Sequence, residues 1–149
     1  MRASATFTVT SFVPAGLKPE PEVTTALPVG IATIVKSFEG EITGRSTTLF
    51  TAAFDQAAGV GTYVAMESFE GAVDGREGTF NFVHSAATSG DDRVNEFFAI
   101  VPSSGTGALA GIRGGGGLAV DGDGTHRIWF DFDFDADIDA GAGPRDGSQ

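Results

Sequence analysis

The chain has 149 residues and a mass of 15.3 kDa, the size of one domain. Its formal net charge is −11, from 20 acidic and 9 basic residues, so nucleic acids and anionic membranes would be repelled. The absence of cysteine excludes thiol catalysis and disulfide scaffolds. No apolar run reaches the ~18 residues of a membrane helix. No apolar signal region is visible at the N-terminus, so we expect a cytoplasmic bacterial protein.

Glycine is frequent, at 22 residues, and 13 of the 15 aromatic residues are phenylalanine. This composition favours short strands joined by tight turns over a helical bundle. The first predicted strand is Ala5–Phe12, in which Phe7 and Val9 alternate with threonines. Residues 13–29 are predicted to form a loop, because four of the six prolines lie there and proline cannot donate to a strand ladder.

The remaining segments alternate between strand patterns and glycine-rich turns, and no segment keeps a 3.6-residue period. The predicted strands are Ile31–Ile42, Ser46–Phe54, Thr62–Glu70, Thr79–Ser85, Asn95–Pro102, Ala108–Val120 and Thr125–Ile138. Eight strands in successive hairpins predict an all-β, eight-stranded antiparallel up-and-down barrel, lipocalin-like in general shape, because closure removes exposed edges. We expect residues 1–139 to form this single domain and residues 140–149 to be a disordered tail.

Three stretches resemble a known family. They are TIVKSFEGEITG at Thr33–Gly44, MESFEGAVDGREGTFNFVH at Met66–His84, and VPSSGTGALAGIRG at Val101–Gly114. Together they resemble a bacterial family of small uncharacterised proteins with an allene-oxide-cyclase-like barrel, over roughly residues 5–135. The resemblance implies that barrel fold. Plant allene oxide cyclases, which give the barrel its name, close a ring on an apolar substrate without a cofactor. By analogy, the resemblance points to cyclase or isomerase chemistry.

His84 and Glu67 are the first two candidate catalytic residues. His84 shares a strand face with Phe80 and Phe82, so it is either a general acid or base in an apolar cavity or a core histidine with a backbone partner. Glu67 alternates with Tyr63, Ala65 and Phe69. If that face points inward, Glu67 is a buried carboxylate, and if it points outward, Glu67 is a solvated surface acid.

Lys36 and Tyr63 complete the predicted catalytic set. Lys36, between Ile34 and Phe38, would pair with Glu67 or polarise a substrate oxygen; the alternative is a lysine reaching solvent at a barrel end. Tyr63, the sole tyrosine, would donate a proton or pack in the wall. The predicted substrate-binding residues are Phe7, Phe38, Phe80, Phe82, Phe98 and Arg113, with Arg113 as a carboxylate ligand or a turn brace.

No cofactor or metal is predicted. Gly105-x-Gly107-x-x-Ala110 matches a dinucleotide fingerprint only superficially, since no helix follows it. The glycine run 114–117 is predicted to allow a kink or a close backbone approach. Acidic residues alternate along 131–139, and a solvated outer face is the plain interpretation, because same-face residues lie ~7 Å apart, too far to chelate calcium unaided. Two histidines lack partners at metal-ligand spacing.

We therefore expect a cofactor-independent cyclase or isomerase acting on a small, largely apolar substrate. The alternatives are a carrier of a small hydrophobic ligand and a barrel without a cavity. A filled interior would favour the last, an open apolar cavity would favour the carrier, and a cavity where Glu67, His84 or Lys36 converge would favour the enzyme. We expect a small hydrophobic molecule as partner, neither nucleic acid nor membrane, and a homo-oligomer.

Overall fold

The computed structural model describes residues 1–135, which form eight antiparallel strands and one short 3₁₀ turn at Gly107–Leu109. The strands are β1 Arg2–Ala15, β2 Val29–Gly40, β3 Ile42–Asp55, β4 Val60–Val73, β5 Arg76–Ser89, β6 Asp92–Ile100, β7 Ile112–Val120 and β8 His126–Phe134. The predicted all-β architecture is confirmed. Among these residues, no helix is long and apolar enough to cross a bilayer.

The strands form one sheet in the order β6-β5-β4-β3-β2-β1-β8-β7. Each hairpin pairs neighbouring strands. The β1–β8 ladder, from Arg2 opposite Asp131 to Phe7 opposite His126, joins the first strand to the last one. Within residues 1–135 the sheet has no ladder between β6 and β7, and we call this junction the seam. A Cβ at Gly115 in β7 would lie 3.2 Å from the carbonyl oxygen of Phe98 in β6, so the seam is narrow. The result is a nearly closed up-and-down barrel.

Most strand ends differ from the sequence-based boundaries by two or more residues, and two of the differences shape the barrel. β1 continues to Ala15, because Val13 and Ala15 pair with Thr33 and Ile31, so the segment between β1 and β2 spans residues 16–28. β7 begins at Ile112, because the preceding residues turn to insert Leu109, which is fully buried, into the barrel end. The predicted tail, 140–149, and the end of the predicted last strand lie outside the described residues.

One half of the lumen is filled by phenylalanine rings. Phe69 lies 5.1 Å from Phe80, and Phe82 lies 5.2 Å from Phe130, measured between ring centroids. These four side chains are at most 2% exposed. The other half of the lumen is open, so the barrel is divided into a solid core and a cavity.

Candidate functional site

The open half of the barrel is a cavity of about 720 Å³. This volume lies within the range of ~300–1,000 Å³ found for small-molecule sites. Much of the wall is aromatic or aliphatic: Phe7, Val9, Phe12, Ile34, Phe50 and Leu118. Pro14 and Pro28, from the end of β1 and the segment before β2, also contribute to the lining. The cavity therefore has the size and surface to take a small, largely apolar molecule.

A buried carboxylate, Glu67, accepts three side-chain hydrogen bonds. Its Oε2 accepts from Lys36 Nζ at 2.5 Å and from His84 Nε2 at 2.5 Å, and its Oε1 accepts from Ser46 Oγ at 2.6 Å. The four residues come from β2, β3, β4 and β5, which are consecutive strands of the sheet, and all point inward. Lys36 and His84 also line the cavity, so the network borders the open half of the barrel.

Glu67 is ionised in this environment. Its side chain is fully buried, and burial alone would raise its pKa. The hydrogen bond from His84 and the charge of Lys36 outweigh that effect and lower the pKa of Glu67 to about 2. The buried carboxylate is thus balanced by the Lys36 ammonium, as a buried charge requires.

A chain of hydrogen bonds continues from His84 to the cavity wall. His84 Nδ1 lies 2.8 Å from the Tyr63 hydroxyl, and an Arg93 guanidinium nitrogen donates to that hydroxyl oxygen at 2.9 Å. One assignment satisfies all three contacts: Arg93 donates to Tyr63, Tyr63 O–H donates to Nδ1, and Nε2–H donates to Glu67. We call Tyr63, His84 and Glu67 the relay.

The neutral form of His84 is favoured. Burial lowers its pKa, the hydrogen bond and charge of Glu67 raise it, and the charges of Lys36 and Arg93 lower it further, with a net lowering. Because Lys36 already lies beside Glu67, a protonated imidazole would place a second positive charge next to the same carboxylate. A neutral imidazole with a free basic position at Nδ1 can accept a proton from Tyr63.

Tyr63 is held by Phe50 and Arg93. Its ring stacks on Phe50 with centroids 5.4 Å apart and an interplanar angle of 17°, and the Arg93 guanidinium lies 5.6 Å from the ring centroid. Burial raises the pKa of the Tyr63 hydroxyl, and the hydrogen bond and charge of Arg93 offset only part of that effect. Arg93 is anchored in turn by Glu96 at 3.2 Å. The hydroxyl is therefore a fixed proton donor beside a base, and the phenolate it would form lies beside a cation.

The structure brings together the four residues predicted as catalytic. The predicted binding residues, in contrast, lie in different parts of the barrel. Phe7 lines the cavity, and Phe98 stacks on His84 at 5.7 Å and lines a crevice of about 190 Å³ at the seam. The remaining predicted phenylalanines, Phe38, Phe80 and Phe82, lie in the filled half.

Arg113 lies away from the cavity. Its exposed side chain pairs with Asp135 at 3.0 Å. Arg113 alternates outward from the buried Ile112, which places it outside the barrel. The binding role predicted for these residues stays a prediction.

Two residues of the site were missed by the sequence analysis. Ser46 was placed in a strand, but nothing marked its face as lining a polar network. Arg93 precedes the predicted sixth strand, which starts at Asn95, whereas β6 begins at Asp92. A register shift between Ser85 and Ala87 and the positive φ of Asn95, 54°, allow β6 to start early and carry Arg93 toward Tyr63. Such a bulge has no clear mark in a single sequence.

By fold and site, the chain is a small antiparallel barrel with a buried Glu–Lys–His network beside an apolar cavity. It belongs to the family described as "Protein of unknown function (DUF3224)", whose model matches residues 3–132. A crystal structure of a DUF3224 protein of unknown function from Shewanella oneidensis MR-1 is similar, with 27% identity and a TM-score of 0.77, over 91% of this chain and 98% of that one. No curated protein matches. The resemblance to a family of small uncharacterised proteins is confirmed.

Proposed function

We propose that the protein is a cofactor-independent isomerase or cyclase that moves a proton within a small, largely apolar substrate. The observation that carries this proposal is the relay, which connects a hydroxyl on the cavity wall through an imidazole to a fully buried carboxylate. A general base held in this way by a third group is the arrangement that activates a hydroxyl in many enzymes. A barrel that only stored an apolar ligand would have no need of it.

The proton step follows from the directions of the hydrogen bonds. As Tyr63 O–H passes its proton to His84 Nδ1, the Tyr63 oxygen takes a proton from a substrate carbon, and the electron pair of that C–H bond shifts into the substrate. The imidazolium that forms is stabilised by Glu67. Arg93 stabilises any phenolate character on Tyr63. Reversal of the same transfers returns the proton to a different substrate carbon, so atoms and charge balance without another reactant.

The remaining groups orient the site. Lys36 keeps Glu67 ionised and fixed, and Ser46 holds its second oxygen. The apolar wall would confine a flexible substrate to a reactive conformer, which contributes much of the rate in reactions that depend on proximity. A carrier of small hydrophobic molecules is the alternative, and the predominantly apolar cavity wall is the observation that favours it.

The test does not need the substrate to be known in advance. The protein is incubated in D₂O with a panel of apolar metabolites, and native mass spectrometry identifies which compounds bind. Recovered ligands are then analysed for deuterium on carbon. We expect carbon-bound deuterium or an isomerised product with the wild-type protein, and at least a ~100-fold loss of that rate in Tyr63→Phe.

The control is Thr8→Val, which removes a hydroxyl from the exposed outer face of β1. It should exchange deuterium like the wild type. Binding without deuterium incorporation or conversion by the wild type would assign the barrel to the carriers. Equal exchange in wild type and Tyr63→Phe would remove the relay from the chemistry.

A further inference from the structure

The outer wall of the barrel is divided into a charged part and an uncharged part. On β1 and β8 it carries Arg2 and Asp131, which form an ion pair at 2.6 Å, and Arg127, which pairs at 2.6 Å with Asp121 in the turn after β7. On β2 to β5, the outward positions within 31–37, 47–53, 62–68 and 81–87 all carry uncharged side chains. In a chain with a net charge of −11, this is an uneven distribution.

The uncharged wall and the adjoining β6 carry six outward apolar side chains, here called the apolar band: Val35, Leu49, Val64, Met66, Val83 and Phe97. Val35 and Phe97 lie opposite the polar residues Thr47 and Ser85. Leu49 lies opposite Met66 across β3 and β4, and Met66 lies opposite Val83 across β4 and β5. Leu49 is 62% exposed, Met66 45% and Phe97 56%. Scattered exposed apolar residues need no explanation, but adjoining ones on neighbouring strands mark an interaction surface.

We propose that the apolar band is the interface through which two copies of this chain form a symmetric dimer. In a twofold dimer, the same surface patch of both copies forms the interface. A charged patch would therefore face like charges, and such an arrangement is unfavourable. The apolar band meets this condition at every position. At its margin, the charged residues Arg45 and Glu70 pair with each other at 3.0 Å and so present little net charge.

Charge argues against other occupants. A basic protein would dock on acidic groups, which this wall lacks at the positions named above. An anionic membrane would be held by lysine and arginine, which the same positions also lack, and would repel a protein with a net charge of −11. A second copy carries the same uncharged surface and keeps the other acidic groups of both chains apart.

The size of the apolar band indicates a weak dimer. If the whole uncharged wall is in contact, four strands at ~4.8 Å spacing and about seven residues along each give roughly 450 Å² per copy, or about 900 Å² in the pair. Interfaces of this size lie at the low end for specific complexes, which predicts a dissociation constant in the micromolar range. The interface would also brace the relay from outside, because Met66 and Val83 directly adjoin Glu67 and His84 in sequence and point to the opposite face.

Sedimentation velocity over a range of about 1 to 200 μM tests the proposal. We expect the wild-type mass to rise from 15.3 kDa toward twice that value as concentration increases. Leu49→Glu should raise the dissociation constant at least about tenfold. Leu17→Glu makes the same change at a leucine that is 71% exposed outside the apolar band, and it should shift the constant less than about twofold.

A second measurement does not depend on a destabilising variant. The chain has no cysteine, so Met66→Cys and Leu17→Cys each carry a single thiol. A short bis-maleimide should link Met66→Cys chains into dimers and leave Leu17→Cys chains unlinked. A wild-type protein that stays monomeric at every concentration would overturn the proposal. So would a monomeric protein that binds neutral phosphatidylcholine vesicles and rises with them in a flotation gradient. So would an equal effect of the two glutamate variants.

Discussion

At the scale of single residues, the site depends on one buried charge pair. Glu67 and Lys36 are both nearly inaccessible to solvent, and each lowers the cost of burying the other. Such a pair adds little net stability compared with apolar residues of similar volume, but loss of one partner leaves an uncompensated charge in the interior. The pair is therefore better explained by what it does for His84 than by stability.

This gives a stability prediction for Glu67. Glu67→Gln should lower the free energy of unfolding by about 3–5 kcal/mol, because it leaves the Lys36 ammonium unpaired. The double variant Glu67→Gln with Lys36→Met should lose less than the sum of the two single losses. Urea unfolding followed by the fluorescence of Trp129, the sole tryptophan, measures all three values.

The matched control lies on the same strand. Glu70 is an exposed glutamate paired with Arg45, and Glu70→Gln should cost less than about 1 kcal/mol. If Glu67→Gln and Glu70→Gln had the same effect, the Glu67 carboxylate would not be buried against Lys36 as described.

The sequence allowed much of this site to be predicted. Glu67, Tyr63, His84 and Lys36 each alternate with apolar neighbours, so a strand that buries those neighbours also turns the polar residue inward. Which strands lie side by side followed from the hairpins. The hydrogen-bond partners could not be derived, because Ser46 and Thr48 both face inward and the sequence does not mark which hydroxyl reaches Glu67, and because Arg93 reaches Tyr63 only through a bulge in β6.

At the scale of the elements, β7 is the strand most dependent on glycine. A Cβ at Gly116 would lie 2.1 Å from the backbone oxygen of Trp129 and 3.0 Å from a ring carbon of Phe98. The first contact is with backbone, which cannot move aside as a flexible side chain can. The close backbone approach predicted from the glycine run is therefore present at the β7–β8 pair and beside the seam.

Gly116→Ala should accordingly lower the free energy of unfolding by about 1–3 kcal/mol, the usual cost of overpacking. Gly16→Ala is the control, because a Cβ there would meet no atom within 4 Å. Thermal unfolding of the two variants in parallel separates the steric effect from the general effect of replacing glycine. Equal melting temperatures would show that β7 has room for side chains.

At the scale of the whole molecule, the lumen is divided by side-chain size. Phenylalanine rings fill the end closed by Leu109, and the other end is left open with Lys36, His84 and Tyr63 exposed to the cavity. Alternation in the sequence predicted which residues share a face of each strand. It could not predict where the filled part stops, because phenylalanines occur in both halves and only the turn of the chain at Gly107–Leu109 decides which end is closed.

The protonation of His84 tests the central claim, a neutral imidazole that joins Tyr63 to Glu67, most directly. The measurement is a ¹⁵N NMR titration, with His126→Gln used to assign the two histidines. At pH 6.5, where an unperturbed imidazole is half protonated, we predict that His84 is mostly neutral, with its proton on Nε2, and that it becomes charged only at lower pH. A His84 that is half protonated at or above pH 6.5, or that carries its neutral proton on Nδ1, would contradict this account.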